Sequence, residues 1–198
     1  MEVMTPRGPA LVEVDEVAEP RLLLVLTHGS AGGVDAPDLL AVRDAAIGAG
    51  AVVARVTQAF RVAGARAPGS PAKQDEAWEI VLAEVRARYP GLPLVQGGRS
   101  NGARVACRTA KVVGAAAVVA LAFPLHPPGR PERSRAAELR AAGVDVLVVN
   151  GDRDPFGIPD AADAARLVVL PGEGHDLKRD PARVGEVVAQ WIARYAAY

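Results

Sequence analysis

The strongest constraint on the fold is a repeated pattern: an unbroken aliphatic run that stops at a turn of small residues. Leu22-Leu23-Leu24-Val25-Leu26 runs straight into Thr27-His28-Gly29-Ser30-Ala31-Gly32-Gly33. A strand with one wet face alternates apolar and polar residues. A strand without alternation is buried on both faces, as in the interior of a parallel sheet. Comparable runs lie at 51–56, at Leu94-Val95 before Gly97-Gly98, over 113–123 before Pro124, at 144–149 before Asn150-Gly151, and at 167–170 before Pro171-Gly172. A further strand is expected over 10–17.

Helical patterns fill the gaps. Trp78, Val81, Leu82, Val85 and Tyr89 paint one helix face, and Val184, Val187, Val188, Trp191, Ile192 and Tyr195 paint another. Asp180 suits the cap of that last helix and Pro181 its first turn. Weaker helices are expected at 37–48, 102–112, 134–142 and 159–165. Strand and helix alternating in this way specify a doubly wound α/β fold: a mostly parallel central sheet with helices on both faces. Half of the 198 residues are apolar, enough for one core, and the expectation is a single domain over 1–198.

Composition narrows the function. Lys plus Arg equals Asp plus Glu at 23 each, so no basic excess points to nucleic acid. The first twenty residues carry Glu2, Glu13, Asp15, Glu16 and Glu19 and no apolar signal core. The longest apolar runs fall far short of the ~20 residues that cross a bilayer. Cys107 is the only cysteine, which excludes an internal disulfide and fits a reducing compartment. One cysteine and three histidines give no zinc-site spacing. The expectation is a cytoplasmic protein without metal or cofactor and without a nucleic-acid or membrane partner. It would be a monomer or a homodimer, the last helix offering an apolar face if exposed.

In such sheets chemistry sits in the loops after the strands. Gly98-Arg99-Ser100-Asn101-Gly102, between an expected strand and helix, has the G-x-S-x-G spacing of a nucleophile elbow. Four serines and glycine at one residue in ten give only about 0.04 chance occurrences, against the reading as an ordinary glycine-rich turn. Asp154 follows the 144–149 strand, where a carboxylate could orient an imidazole, with Asp152 as its competitor. His175 follows the 167–170 run, and His suits proton exchange near neutrality. The chain order Ser100, Asp154, His175 is that of hydrolases with a nucleophile elbow. The small-residue loop after Thr27 suits backbone donors for an oxyanion, here the N–H groups of Ser30 and Asn101. It lacks the glycine and lysine spacing of a phosphate loop. His28, Arg99 and His126 are possible pocket residues, His28 chiefly as a support of its loop. Cys107, two helical turns beyond Ser100, reads as a small core residue.

These residues resemble the α/β-hydrolase superfamily. More closely, the chain is similar to the small hydrolase-like family of the testis-expressed protein 30 type and of subunit 3 of the nonspecific-lethal chromatin complex. The likeness rests on Leu26-Thr27-His28-Gly29, Phe60-Arg61-Val62-Ala63-Gly64 and Gly97-Gly98-Arg99-Ser100-Asn101-Gly102. It continues in Phe123-Pro124-Leu125-His126-Pro127-Pro128-Gly129-Arg130-Pro131-Glu132, Gly151-Asp152-Arg153-Asp154-Pro155-Phe156-Gly157 and Gly174-His175-Asp176-Leu177-Lys178. It implies an α/β-hydrolase fold and a Ser100, Asp154, His175 triad, with Asp154 favoured over Asp152. It implies no particular substrate. Two positions depart from it: Asn101 stands where relatives commonly have Met, and Ala103 where they commonly have Gly.

The resulting expectation is a serine hydrolase of the carboxylesterase or thioesterase type. It would cleave a small ester or thioester through an acyl-enzyme on Ser100. The alternative is a non-catalytic hydrolase-fold interaction module. Only residues 124–133 separate the run ending at Phe123 from the next helical pattern, too few for a substantial cap domain. The site is therefore expected to be open, in part covered by 58–73.

Overall fold

The structure is a computed structural model and describes residues 1–196. Eight strands form one sheet: β1 (Glu2–Thr5), β2 (Gly8–Asp15), β3 (Leu22–Thr27), β4 (Ala51–Thr57), β5 (Leu94–Arg99), β6 (Ala117–Leu121), β7 (Asp145–Gly151) and β8 (Arg166–Leu170). Their order is β1-β2-β4-β3-β5-β6-β7-β8. β2 runs antiparallel to β1 and β4, and every other pairing is parallel. The helices are α1 (Pro37–Gly48), α2 (Ala59–Val62), α3 (Pro71–Ala87), α4 (Asn101–Val113), α5 (Ala136–Arg140) and α6 (Pro181–Ile192). This is the α/β-hydrolase arrangement. No helix or strand interrupts residues 122–135, the place where a cap would enter.

The aliphatic runs behave as their lack of alternation requires. In β3, Leu22, Leu24 and Leu26 pack with Leu39 of α1 and Trp191 of α6, while Leu23 and Val25 pack with Trp78, Val81 and Leu82 of α3. A third cluster joins Ala103, Ala106 and Cys107 of α4 to Val118, Val146 and Val148. Cys107 is therefore a core residue, and burial pushes its thiol up to about 12. The apolar face of α6 is buried as well, so it offers no surface for pairing copies. Asp180 caps α6 by accepting from the Arg183 N–H at 3.1 Å, with Pro181 in the first turn. Among the described residues no helix is long and apolar enough to cross a membrane.

Several elements differ from expectation. β1 is too short for a periodic signal to show. The 113–123 run is split, because Val113 ends α4 and Gly114 turns the chain at φ 63° before β6 begins. α3 starts at Pro71, well before Trp78, because its first turns carry polar residues from Lys73 to Glu76. The stretch 159–165 holds only a 3₁₀ turn, Ala161–Asp163, capped by the Asp160 side chain. Residues 58–73 do not line the cleft beside Ser100. They line a separate, nearly filled pocket beside Trp78.

The tightest packing lies where β5 passes into α4. A Cβ on Gly98 would overlap the Thr27 carbonyl oxygen. One on Gly102 would lie 2.7 Å from the same oxygen and 2.9 Å from the His28 carbonyl oxygen. Neighbouring backbone cannot yield that much room, so both glycines are required by contact with β3. Asp38, in the first turn of α1, is fully buried, and neither carboxylate oxygen has a hydrogen-bond partner. Its nearest cation is Arg99, with Nε at 3.7 Å. Burial pushes its carboxyl up to about 6, against the pull of Arg99 and the helix-start N–H groups.

Gly102→Ala should lose about 3 kcal/mol in chemical denaturation, whereas Gly33→Ala should stay within about 0.5 kcal/mol. Gly33 has no atom within 4 Å of its would-be Cβ. Between pH 3.8 and about 6 the folded protein still holds a proton on Asp38 that the unfolded chain has released. Stability from this group is thus lost as pH rises through that window. Asp38→Asn should gain on wild type by on the order of 2 kcal/mol between pH 4 and pH 7, read from denaturation midpoints at each pH.

Candidate active site

Ser100 occupies the turn between β5 and α4 with φ 55° and ψ −114°, a left-handed backbone that L-residues rarely adopt. Its N–H donates to the Leu121 carbonyl at 2.9 Å, which pins the turn to β6. Its Oγ lies 2.8 Å from Nε2 of His175. The Nδ1 atom of that ring lies 2.8 Å from Oδ2 of Asp154. The expected residues thus form one hydrogen-bonded chain drawn from the loops after β5, β7 and β8.

Each loop has its own support. Asp154 has a fully buried side chain. Its Oδ1 accepts the Phe156 N–H at 2.8 Å, and its Oδ2 accepts from Asn150 Nδ2 at 3.4 Å. The Phe156 ring stacks on the His175 imidazole, with centroids 4.1 Å apart. Asp152 points elsewhere: its Oδ1 accepts the Gly172 N–H at 2.7 Å. Asp154, favoured over Asp152 in the sequence, is the carboxylate in contact with His175, while Asp152 ties the two loops together.

Glu173 is a residue that sequence reasoning missed. It is 1% exposed, and its carboxylate accepts the backbone N–H groups of Arg179 and Asp180 at 3.3 and 2.6 Å. Its carbonyl accepts the Arg153 N–H at 2.9 Å and leaves no room for a Cβ on Gly151. Asn150 was also missed. Its Oδ1 accepts from the Phe123 N–H at 2.9 Å, and its amide donates to the Gly157 carbonyl at 3.2 Å. A polar residue ending an otherwise apolar strand was the available signal.

The pocket candidates divide. Arg99 lines the cleft, its guanidinium pressed beneath Gly32 and beside Asp38. His28 does not line it. That ring is fully buried, with Nδ1 2.8 Å from the Gly29 carbonyl, and Nε2 accepts the Gln58 N–H at 3.1 Å. Donation to one side and acceptance on the other fix a neutral tautomer, and burial pulls its pKa below the ordinary value. His126 is likewise absent from the cleft wall. Its ring packs against Gly157, its Nδ1 lies 2.9 Å from the Pro127 carbonyl, and its N–H donates to Phe156 at 3.0 Å. Neither histidine lines the cleft: both ring nitrogens of His28 and the Nδ1 of His126 face loop backbone instead.

The cleft itself is open, with a volume of about 700 Å³. It is lined by Gly29, Ser30 and Gly32 and by Pro124, Arg135, Pro155 and Phe156. Ser100, Asn101 and His175 lie along it, together with Arg104 and Asp176. Asn101 begins α4, so its N–H has no intrahelical acceptor. Its side-chain Nδ2 is buried without a partner. Among the described residues, no three His, Cys, Asp or Glu side chains gather as metal ligands. The arrangement presents a hydroxyl, an imidazole and a carboxylate in sequence, with the Asn101 N–H at the helix start next in the chain.

Comparison with known proteins agrees with this architecture. A family profile described as an alpha/beta hydrolase domain matches residues 20–197. No curated protein matches the chain in sequence. Among solved structures, the chain is similar to XC6422 from Xanthomonas campestris, an a/b serine hydrolase without a lid. The two are 22% identical with a TM-score of 0.79, over 100% of this chain and 94% of that one. It is similar to Est1E from Butyrivibrio proteoclasticus with ferulic acid bound: 16% identity, TM-score 0.78, 98% of each chain. It is also similar to dienelactone hydrolase from Anabaena variabilis: 16% identity, TM-score 0.79, 99% of this chain and 96% of that one. At such identities these likenesses speak to the fold. The profile spans the sheet from β3 onward and all three loops of the hydrogen-bonded chain, and this protein belongs to the alpha/beta hydrolase domain family.

Proposed function

We propose that this protein is a serine hydrolase that cleaves a small ester or thioester through an acyl-enzyme on Ser100. The observation that carries the reading is the unbroken chain from Ser100 Oγ to His175 Nε2 and from His175 Nδ1 to Asp154 Oδ2, each link 2.8 Å. In this reading His175 takes the Ser100 proton as Oγ attacks the carbonyl carbon. The proton passes to the departing alcohol or thiol as the acyl–oxygen or acyl–sulfur bond breaks. Water then gives a proton to His175 and attacks the acyl carbon, and His175 returns that proton to Ser100 Oγ as the acyl–Oγ bond breaks and the acid leaves. Asp154 keeps the imidazole oriented and favours its cation.

The N–H groups of Ser30 and Asn101 would hold the oxyanion, each worth about 3–4 kcal/mol at the barrier. Neither donates a hydrogen bond within the described residues, which suits that task. The open cleft supports short acyl groups over long ones, since no wall encloses an extended chain. Within the family we group the chain with the small testis-expressed protein 30 and nonspecific-lethal subunit 3 type, on the segments around Phe60, His126 and Phe156. A single buried cysteine supports a cytoplasmic setting.

Fluorophosphonate labelling with peptide mapping tests the proposal. Wild type should label rapidly at Ser100, and Ser100→Ala and His175→Ala should not. Turnover of p-nitrophenyl acetate should fall by about 10⁴-fold in Asp154→Asn and by more in Ser100→Ala. Equal rates in wild type and Ser100→Ala would overturn the assignment. Well-folded wild type that does not label would point to the interaction module.

A further inference from the structure

Four charged side chains line the cleft beside Ser100: Arg99, Arg104, Arg135 and Asp176. Three have an opposite charge of their own. Arg99 lies 3.7 Å from Asp38. Arg104 makes a two-point contact with Glu138 at 2.8 and 2.6 Å. Asp176 pairs with Lys178 at 2.6 Å. Arg135 pairs with no carboxylate among the described residues. Among the described residues its only side-chain hydrogen bond is from Nη1 to the Pro124 carbonyl at 2.9 Å.

That contact and the bond from the Arg135 N–H to the Leu125 carbonyl at 2.7 Å anchor the residue at the cleft wall. The remaining guanidinium donors are left without a protein acceptor. Burial together with the neighbouring charges of Arg104 and Arg133 disfavours this cation, and Glu138 offsets them only in part. Glu138 is already shared between Arg104 and Arg108. A half-buried cation anchored at the cleft wall, crowded by like charge and without a carboxylate partner among the described residues is placed to pair with an anion from outside the chain.

We propose that Arg135 is a specificity-determining residue that binds a carboxylate carried by the substrate, so that the favoured ester or thioester is anionic. The inference rests on the hydrolase reading above and adds the substrate class. A carboxylate fits on two counts. It supplies the single negative charge that the cleft lacks, and its two oxygens match the planar guanidinium fork.

The test compares matched ester pairs: mono-p-nitrophenyl glutarate against p-nitrophenyl pentanoate, and 4-acetoxybenzoate against phenyl acetate. Rates are divided by those of uncatalysed hydrolysis. Wild type should favour the anionic member of at least one pair about tenfold in kcat/KM, and the pair shows whether the charge sits on the acyl or the leaving side. Added salt should reduce the preference. Arg135→Gln should abolish it, whereas Arg135→Lys should keep part of it. A residue that merely held Pro124 would change both members of a pair alike and leave their ratio unmoved. Turnover without an anionic preference, or a preference intact in Arg135→Gln, overturns the inference while leaving the hydrolase reading in place. If no ester is turned over, the hydrolase reading fails and glutarate binding to Ser100→Ala, measured by calorimetry, decides the rest. Binding lost on adding Arg135→Gln supports the anion site, and no binding overturns it.

Discussion

The site depends on a contact between two backbones. Thr27 ends β3 with a carbonyl oxygen that touches both Gly98 and Gly102, one on each side of Ser100. Strand β5, the Ser100 turn and the start of α4 are thereby pressed against the neighbouring strand with no side chain between them. The pressure sets where the helix begins, and the helix start sets where the Ser100 hydroxyl and the Asn101 N–H face. Because β3 is buried on both sides by separate apolar clusters, the carbonyl that acts as the stop cannot easily move. Packing far below the cleft is thus transmitted to a polar turn at its floor.

Around that contact the loops are tied by buried polar groups. His28 links its own loop to the end of β4 through Gln58. Asn150 links the Asp154 turn to Phe123, and Glu173 holds the start of α6 to the His175 loop. These ties use neutral amides, a neutral imidazole and one carboxylate bound by backbone donors. Asp38 is the exception, a buried carboxylate answered only by Arg99 at 3.7 Å.

What the sequence disclosed follows from what each residue must satisfy. The parallel strands are legible because burial on both faces removes alternation, and Leu22 to Leu26 show this directly. The Ser100 turn is legible because close backbone approach admits only glycine at 98 and 102. His28 supports its loop as the sequence suggested, whereas the place of His126 was not legible. A histidine in a loop looks the same whether its nitrogens face solvent or hold a carbonyl. Glu173 in a glycine-rich loop was not legible either, since nothing in its neighbours announces burial. Arg104 and Arg135 meet at the cleft only through the fold, one from α4 and the other from the segment that replaces a cap. The start of α3 was hidden because its exposed first turns carry no apolar stripe.

His175 follows β8, the outer strand, where Val169 is 40% exposed. An edge strand frays before the interior of a sheet does. The contacts of Glu173 with Arg153 and Gly151, and of Asp152 with Gly172, fasten the His175 loop to the turn that carries Asp154. Imidazole and carboxylate are therefore fastened to each other, while the hydroxyl sits at the end of β5 in the centre of the sheet. Partial loosening of this protein would open the gap between Ser100 and His175 first. The rate of chemistry would then report the mechanical state of the sheet edge.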